Sequence, residues 1–385
     1  MHASAFANAG SEVPRVLVAD DQRNVLEALR LLLKGEGFQT EAVTGPAGVL
    51  SALKSQDFDA VLMDLNYTKD TTSGGEGLDL LTSIRTLNKD IPLIVMTAWG
   101  NMELAIEAMR RGACDFILKP WENRQLTEVL RGQVQRRQAL RRAARLQEQE
   151  FAEAREIQSR LLPASLPHVP GYELSAESRS ARFVGGDYYD VVKTQNSKTA
   201  LCIADVAGKG LPGALLMSSL QAALRPMLVE ALSPGELCCR LNRAICEIAP
   251  VGKFISFFYA LLDDCSGRLT YVNAGHNAPL LIHSAGASDW LNTDGAVLGQ
   301  FGEWKYGQSE VGMSSGDYLL LFTDGLVEAC KADGEEFGAE RIAQCALAEF
   351  GAGASALRDM LFAAVAAYCD NQFQDDTTLL VMKRQ

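Results

Sequence analysis

Between residues 14 and 122, five short apolar runs (RVLVAD, TEAVT, DAVLMD, PLIVMTA and CDFILKP) alternate with four amphipathic stretches, VLEALRLLLKGEG, PAGVLSALKSQ, GLDLLTSIRTLN and MELAIEAMRRG. The runs have the length of buried strands. The longer stretches have helical periodicity, the first ending at Gly35 and the last at Gly112. Strands joined through helices must run parallel, so the expected fold is an α/β doubly wound, five-stranded parallel sheet. Functional side chains in such a sheet gather beyond the carboxyl ends of the strands.

Those ends carry reactive groups. Asp20 and Asp21 close the first strand, Asp64 the third, Thr97 the fourth and Lys119 the fifth. Three carboxylates on one rim suit a hard divalent cation bound through oxygen, such as Mg²⁺. One carboxylate beside the ion can attack a phosphoryl donor while a hydroxyl and an ammonium stabilise the phosphoryl oxygens. VLVADD, DAVLMDL, VMTA and LKP stand in the order of the receiver domain of bacterial two-component response regulators, which this segment resembles. The resemblance implies that Asp64 is the phosphoacceptor and that Asp20, Asp21 and Asp64 hold Mg²⁺ with the Asn66 carbonyl. It further implies that Thr97 and Lys119 form the switch pair, and that a histidine kinase or phosphotransfer protein is the donor. One departure is the loop NYTKDTTSGGEG after Asp64, longer than the family's usual turn. Trp99 and Trp121 read as packing or docking residues.

Residues 123 to 162 contain one glycine and no proline, and their many strong helix formers predict a long helix. Leu126, Leu130, Leu140, Ala144, Phe151, Ala154 and Leu161 partly follow a heptad that Gln133, Arg137 and Gln147 interrupt. That pattern reads as a signalling helix or a weak homodimer seam rather than a strong coiled coil. Its basic stretch RRQALRRAARL is followed by EQEFAEARE and reads as a solvated helical face.

Prolines 163, 167 and 170 end that helix, and short strand-like runs then enclose two or three helical stretches. Strands grouped before and after helices predict an α+β domain over 163–385, beside the receiver at 14–122, the linker at 123–162 and a disordered tail at 1–13. Within it, Asp187 in FVGGDYYDVV, Asp205 in CIADVAGKG, Asp324 in LLFTDGLVE, and Asp375 with Asp376 in FQDDTTLLV stand in glycine-rich or strand-end contexts. No histidine or cysteine accompanies them, and oxygen-only ligands favour Mg²⁺ or Mn²⁺ over zinc. Four such carboxylates suit a two-metal site that activates water for attack on phosphorus.

AREIQSRLLP, GGDYYDV, IADVAGKGLPGALLM, YVNAGHNAPLL, YLLLFTDGLVEA and DDTTLLVMKR follow one another as in the PPM-type, SpoIIE-like serine/threonine protein phosphatases, which residues 151 to 385 resemble. By that resemblance the domain is a β-sandwich flanked by helices. Asp205 bridges two Mn²⁺ or Mg²⁺ ions, with Asp187 and the Val206 carbonyl on one ion and Asp324 and Asp375 on the other. The glycines of GGD and AGKG let the backbone approach the metals. The implied substrate is a phosphorylated protein, of which STAS-type anti-sigma-factor antagonists in partner switching are the family's example. Asp190 reads as a hydrogen-bonding support, Tyr188 and Tyr189 as packing residues, and His276 as a hydrogen-bonded turn residue. Lys209 lies in GKG without the GxxxxGKS/T of a nucleotide loop.

Composition excludes several other classes. A net charge of -12 argues against nucleic acid as main partner. No run of about 18 uncharged apolar residues predicts a membrane span. Nine cysteines without a CxxC pair fit a reducing, cytoplasmic setting. A DNA-binding regulator would need a basic output domain after residue 162, and none is legible. His2, His168, His276 and His283 all lie outside a phosphoacceptor helix of the kinase type. A catalytically silent adaptor that binds a partner under receiver control is the rival reading, and the presence of all four acids weighs against it.

Overall fold

The computed structural model describes residues 13–67, 75–98, 102–195 and 197–385. The expected tail therefore lies outside the described residues except for Val13, as do Trp99 and most of the loop after Asp64. The chain divides into two compact units, 1–148 and 149–385.

The first unit contains β1 (Arg15–Ala19), α1 (Arg23–Gly35), β2 (Gln39–Val43), α2 (Pro46–Ser55), β3 (Ala60–Asp64), α3 (Gly75–Leu87), β4 (Leu93–Ala98), α4 (Met102–Arg110), β5 (Asp115–Lys119) and the start of α5 (Asn123–Ser159). Its sheet is parallel, in the order β2-β1-β3-β4-β5. The central strand β3 is buried throughout, as a strand covered on both faces must be. Alternate residues feed two cores. Leu17, Val61, Met63 and Val95 meet Val49, Leu81 and Ala108 of α2, α3 and α4, whereas Val18, Leu62 and Ile94 meet Leu29 of α1 and Leu130 of α5.

The beginning of α5 is thus part of this core. Leu126, Leu130 and Val134 are buried beneath it, and Arg137, only 5% exposed, donates to the Phe58 carbonyl at 2.9 Å. The segment expected as a separate linker is therefore shared between the two units. An apolar helical stripe does not by itself say which surface it covers, and here a sheet face takes its first part.

The second unit continues α5 and adds β6 (Tyr172–Arg179), β7 (Tyr188–Lys193), β8 (Lys198–Val206), α6 (Leu211–Met227), α7 (Pro234–Ile248), β9 (Ile255–Asp263), β10 (Arg268–Ala274), β11 (Leu280–Ile282), β12 (Ser288–Trp290), β13 (Ser309–Gly312), β14 (Tyr318–Phe322), α8 (Asp324–Val327), α9 (Ala339–Ala348), α10 (Ala354–Tyr368) and β15 (Thr377–Arg384). Two antiparallel sheets form, β13-β10-β9-β8-β7 and β12-β11-β14-β15-β6.

Leu201, Ile203 and Phe258 from the first sheet interlock with Leu319, Leu321 and Leu380 from the second. Each such fully buried side chain contributes about 1.5–3 kcal/mol. The outer face of the first sheet is covered by Leu220 of α6 and Leu241 of α7, that of the second by Ile342 of α9 and Leu361 of α10. Helix α7 starts at a capping box in which Ser233 and Glu236 satisfy each other's backbone donors. The result is a β-sandwich with helices on both outer faces. All nine cysteines are free, and among the described residues no helix is long and apolar enough to cross a membrane.

Candidate functional site

In the first unit, the parallel register brings the ends of β1, β3, β4 and β5 to one rim. One ligand oxygen from each of Asp20, Asp21 and Asp64 lies within 4.8 Å of the others, the one such cluster among the described residues. Lys119 Nζ donates to Asp20 Oδ2 at 2.6 Å and to Asp64 Oδ2 at 2.7 Å. Burial pushes the Asp64 carboxyl above the usual carboxylate range, with Asp20 adding to the effect and Lys119 opposing it. Burial would lower Lys119, but its two carboxylate partners hold it above its ordinary value. The Thr97 hydroxyl, the Asn66 side-chain oxygen and the Tyr67 hydroxyl are buried without a hydrogen-bond partner. Oxygen donors left unpaired beside three carboxylates fit a hard cation and a phosphoryl group.

The second unit assembles its acids from both sheets. Asp187 immediately precedes β7 and Asp205 is the penultimate residue of β8, while Asp324 opens α8 after β14 and Asp375 lies just before β15. Asp187 Oδ2 accepts from Thr378 Oγ1 at 2.6 Å and Thr323 Oγ1 at 2.8 Å, while its buried Oδ1 has no hydroxyl or amide donor and the Asp205 carboxyl lies within hydrogen-bonding reach of Asp187. Burial, then the charge of Asp205, holds the Asp187 carboxyl well above its ordinary value. Burial, then Asp324 and Asp375, pushes Asp205 up to about 7. Asp324 rises to about 6 through burial and the charges of Glu328 and Asp375. A buried carboxylate oxygen without a hydroxyl or amide donor, and acids raised by burial and by one another's charge, fit a set of oxygen ligands for divalent cations.

Lys119 has a counterpart here. Lys209 Nζ reaches Asp375 Oδ2 at 2.6 Å and the Gln374 carbonyl at 3.1 Å. The Val206 carbonyl lies against Gly186, 3.2 Å from where a side chain there would begin.

Several functional supports escaped sequence reasoning. Asp376, the second acid of the DD pair, accepts from Gly186 N at 2.6 Å and Ala181 N at 2.8 Å, so it anchors the turn that presents Asp187. Two glycines make that packing feasible. A Cβ on Gly185 would lie 2.7 Å from Asp376 Oδ2, and one on Gly325 only 2.0 Å from the Asp376 carbonyl oxygen. The GGD glycines thus admit a neighbouring carboxylate as much as a metal. Gln158, buried near the end of α5, donates to the Gly185 carbonyl at 2.6 Å and accepts from Gly185 N at 3.0 Å. Nothing in the residue types of AREIQSR distinguishes this glutamine from its solvated neighbours. The threonines Thr323 and Thr378 adjoin acids in TDG and DDTT, and adjacency is the signal that would have found them.

The remaining residues singled out have definite places. Asp190 accepts from Tyr188 OH at 2.8 Å and pairs with Arg225 at 2.7 Å. Tyr188 packs beneath α6 and α7, and Tyr189 between the sheets. His276 N donates to Asn273 Oδ1 at 2.8 Å and its Nδ1 lies 2.8 Å from Ser256 Oγ, while burial lowers the ring to about 4. A neutral ring held at a turn fits a structural role. Trp121 packs against the core face shared by α1 and α5.

Comparison with known proteins gives two family matches, the response regulator receiver domain over residues 16–131 and Stage II sporulation protein E (SpoIIE) over residues 195–385. The chain is 29% identical over 253 residues to phosphoserine phosphatase RsbU of Bacillus subtilis, covering 65% of this chain and 75% of that protein. It is 26% identical over 264 residues to protein IcfG of Synechocystis sp., covering 61% of this chain and only 41% of that protein. The SiaA-PP2C domain of Pseudomonas aeruginosa shares the fold, with a TM-score of 0.56 at 22% identity, over 63% of this chain and 98% of that one.

Proposed function

Since the chain is a response regulator whose receiver domain is joined to a protein serine/threonine phosphatase domain of the SpoIIE family, we propose that phosphorylation of Asp64 sets the rate at which the second domain hydrolyses phosphoserine or phosphothreonine in a partner protein. The observation that carries this reading is Asp187. Its Oδ2 is fixed by two threonine hydroxyls while its buried Oδ1 has no hydroxyl or amide donor, with the Asp205 carboxyl within hydrogen-bonding reach of Asp187 and Asp324 and Asp375 supplied from the other sheet.

Asp187, Asp205, the Val206 carbonyl, Asp324 and Asp375 would hold two Mn²⁺ or Mg²⁺ ions. When bound, such ions polarise phosphoryl oxygens and make water nucleophilic at neutral pH. The chain's own part is to hold its ligands. Thr323 and Thr378 fix the Asp187 carboxylate, Asp376 clamps the turn before it, and Lys209 places an ammonium beside Asp375.

At the receiver, Asp20, Asp21 and Asp64 with the Asn66 carbonyl would hold Mg²⁺. Asp64 would attack the phosphorus of a phosphohistidine on a kinase or phosphotransfer protein, releasing the histidine and forming an acyl phosphate. Lys119 would stay beside the added charge, and Thr97 would turn its unpaired hydroxyl to a phosphoryl oxygen. Helix α5 is the route by which this reaches the catalytic turn, because it carries Leu126 in the receiver core and Gln158 against Gly185. The substrate class we infer is a STAS-type anti-sigma-factor antagonist in partner switching. The similarity to RsbU, a named phosphoserine phosphatase, supports the phosphoserine part of that reading.

Phosphate release from a phosphoserine protein tests the reading, with Mn²⁺ or Mg²⁺ against chelator and against Asp205→Ala. Metal-dependent turnover lost in the variant is expected. Turnover that is the same with and without a small-molecule phosphodonor, in wild type and Asp64→Asn alike, would remove the regulatory half.

A further inference from the structure

Beside the second carboxylate centre lies a cavity of about 660 Å³, within the ~300–1,000 Å³ range of ligand pockets. Its walls include Phe151 and Arg155 from α5, Arg182 and Phe183 from the turn before Asp187, and Lys209 and Leu211 at the start of α6. Phe151 and Phe183 stack with ring centroids 5.4 Å apart, and Phe183 and Leu211 remain about half exposed. Lys209 is already paired with Asp375. Arg155 and Arg182 are exposed and have no ion-pair partner among the described residues, and Glu156, the nearest acid in sequence to Arg155, is taken by Arg160. Two free guanidinium groups beside an apolar floor stand out on a chain of net charge -12.

This cavity adjoins the centre directly. Ala181 N, one residue before Arg182, is bonded to Asp376, and Lys209 spans from the cavity wall to Asp375. We propose that the cavity is a specificity subsite that reads the residues flanking the phosphoserine of the protein substrate. An acidic side chain pairs with Arg182 and Arg155, and an apolar one lies on Phe183 and Leu211. The proposal rests on the phosphatase reading, which places the phosphate at the adjoining carboxylates. Charge complementarity selects the occupant, since unpaired guanidinium groups bind carboxylates and the stacked rings accept an aliphatic or aromatic neighbour.

The test uses the full chain with Mn²⁺ and a panel of phosphoserine peptides. Each carries a leucine near the phosphoserine and either a glutamate or a glutamine at one position on either side of it. Wild type is expected to favour the glutamate peptide at one or more positions by about fivefold in kcat/KM, the scale of one partly exposed ion pair. That ratio should collapse toward one in Arg182→Ala and in Arg155→Ala, and return in part in Arg182→Lys. A wild-type ratio near one at every position would overturn the subsite, and so would an Arg182→Ala variant that slows both peptides equally. Binding of a fluorescent unphosphorylated glutamate peptide, read by anisotropy, separates the two readings. Binding lost in Arg182→Ala in a protein that hydrolyses neither peptide keeps the subsite and removes the phosphatase. Hydrolysis without discrimination keeps the phosphatase and removes the subsite. A protein that neither binds nor hydrolyses the peptides removes both.

Discussion

Gln158 and Gly185 exchange a pair of hydrogen bonds, the amide of one meeting both backbone groups of the other at 2.6 and 3.0 Å. The glutamine belongs to α5 and the glycine lies two residues before Asp187, so the contact ties the helix end to the turn that presents Asp187.

Replacing Gln158 by alanine would strand the N–H and carbonyl of buried Gly185, at a cost of about 1–3 kcal/mol for each group left unsatisfied. The turn then loosens, and Mn²⁺ affinity of the second domain should fall about tenfold or more with turnover declining in step. Calorimetric titration with Mn²⁺ alongside phosphate release checks this. Unchanged affinity in Gln158→Ala would leave the contact with no part in shaping the site.

Thr378 offers a sharper comparison, since it differs from valine by a hydroxyl and from serine by a methyl. Thr378→Val removes the 2.6 Å bond to Asp187 and should lower turnover at limiting Mn²⁺ by about tenfold, whereas Thr378→Ser should stay near wild type. Equal activity of the two variants would show that Asp187 does not depend on that hydroxyl.

Acids raised above their unfolded values make the metal-free phosphatase domain sensitive to pH. Asp205 at about 7 and Asp324 at about 6 compare with about 3.9 for an unfolded aspartate, so the folded state binds more protons between those values. Their contribution is complete below about pH 4 and lost as pH rises through about 7. With chelator present, the Tm of this domain should therefore fall between pH 5 and 7.5, other titrations being matched by an Asp205→Asn control. Added Mn²⁺ should reverse the trend, because protons and metal compete for the same oxygens. A chelated wild type that tracks the Asp205→Asn control across that range contradicts the prediction.

Lys119 stands between two largely buried carboxylates, Asp20 and Asp64. Lys119→Met leaves them facing one another with no cation, and the first unit should lose about 2–3 kcal/mol, somewhat less than a fully buried pair because the lysine is partly exposed. Mg²⁺ should restore much of the loss. Urea unfolding followed by a probe confined to the receiver, with and without Mg²⁺, measures both effects.

The strand-end acids of the receiver were legible because a parallel sheet leaves little freedom: a residue closing an odd or even strand arrives on the same rim. For Asp187, Asp205, Asp324 and Asp375 the order of motifs carried the reading, since acids so far apart in the chain meet only once both sheets have stacked. Gln158 and Asp376 were out of reach for a physical reason. Each acts by hydrogen-bonding the backbone of a distant segment, and backbone partners leave no trace in side-chain identity. The heptad of α5 likewise does not say which surface it covers. Leu126 and Leu130 satisfy their periodicity against the receiver sheet, and Arg137, read as an interruption, is buried at the Phe58 carbonyl. Leu140 and Leu146 remain exposed, so any self-association through this helix must draw on its later turns.

Asp187 and Asp205 come from one sheet of the sandwich, Asp324 and Asp375 from the other. Without cations the two halves of the centre repel across the seam between the sheets. Cations bound as proposed would turn the same groups into cross-links between layers that otherwise adhere through apolar contact. Under the proposed function, cations bound there would hold the two layers together as well as serve the chemistry, so that the ionic content of the surroundings would set the lifetime of the fold along with its rate of turnover.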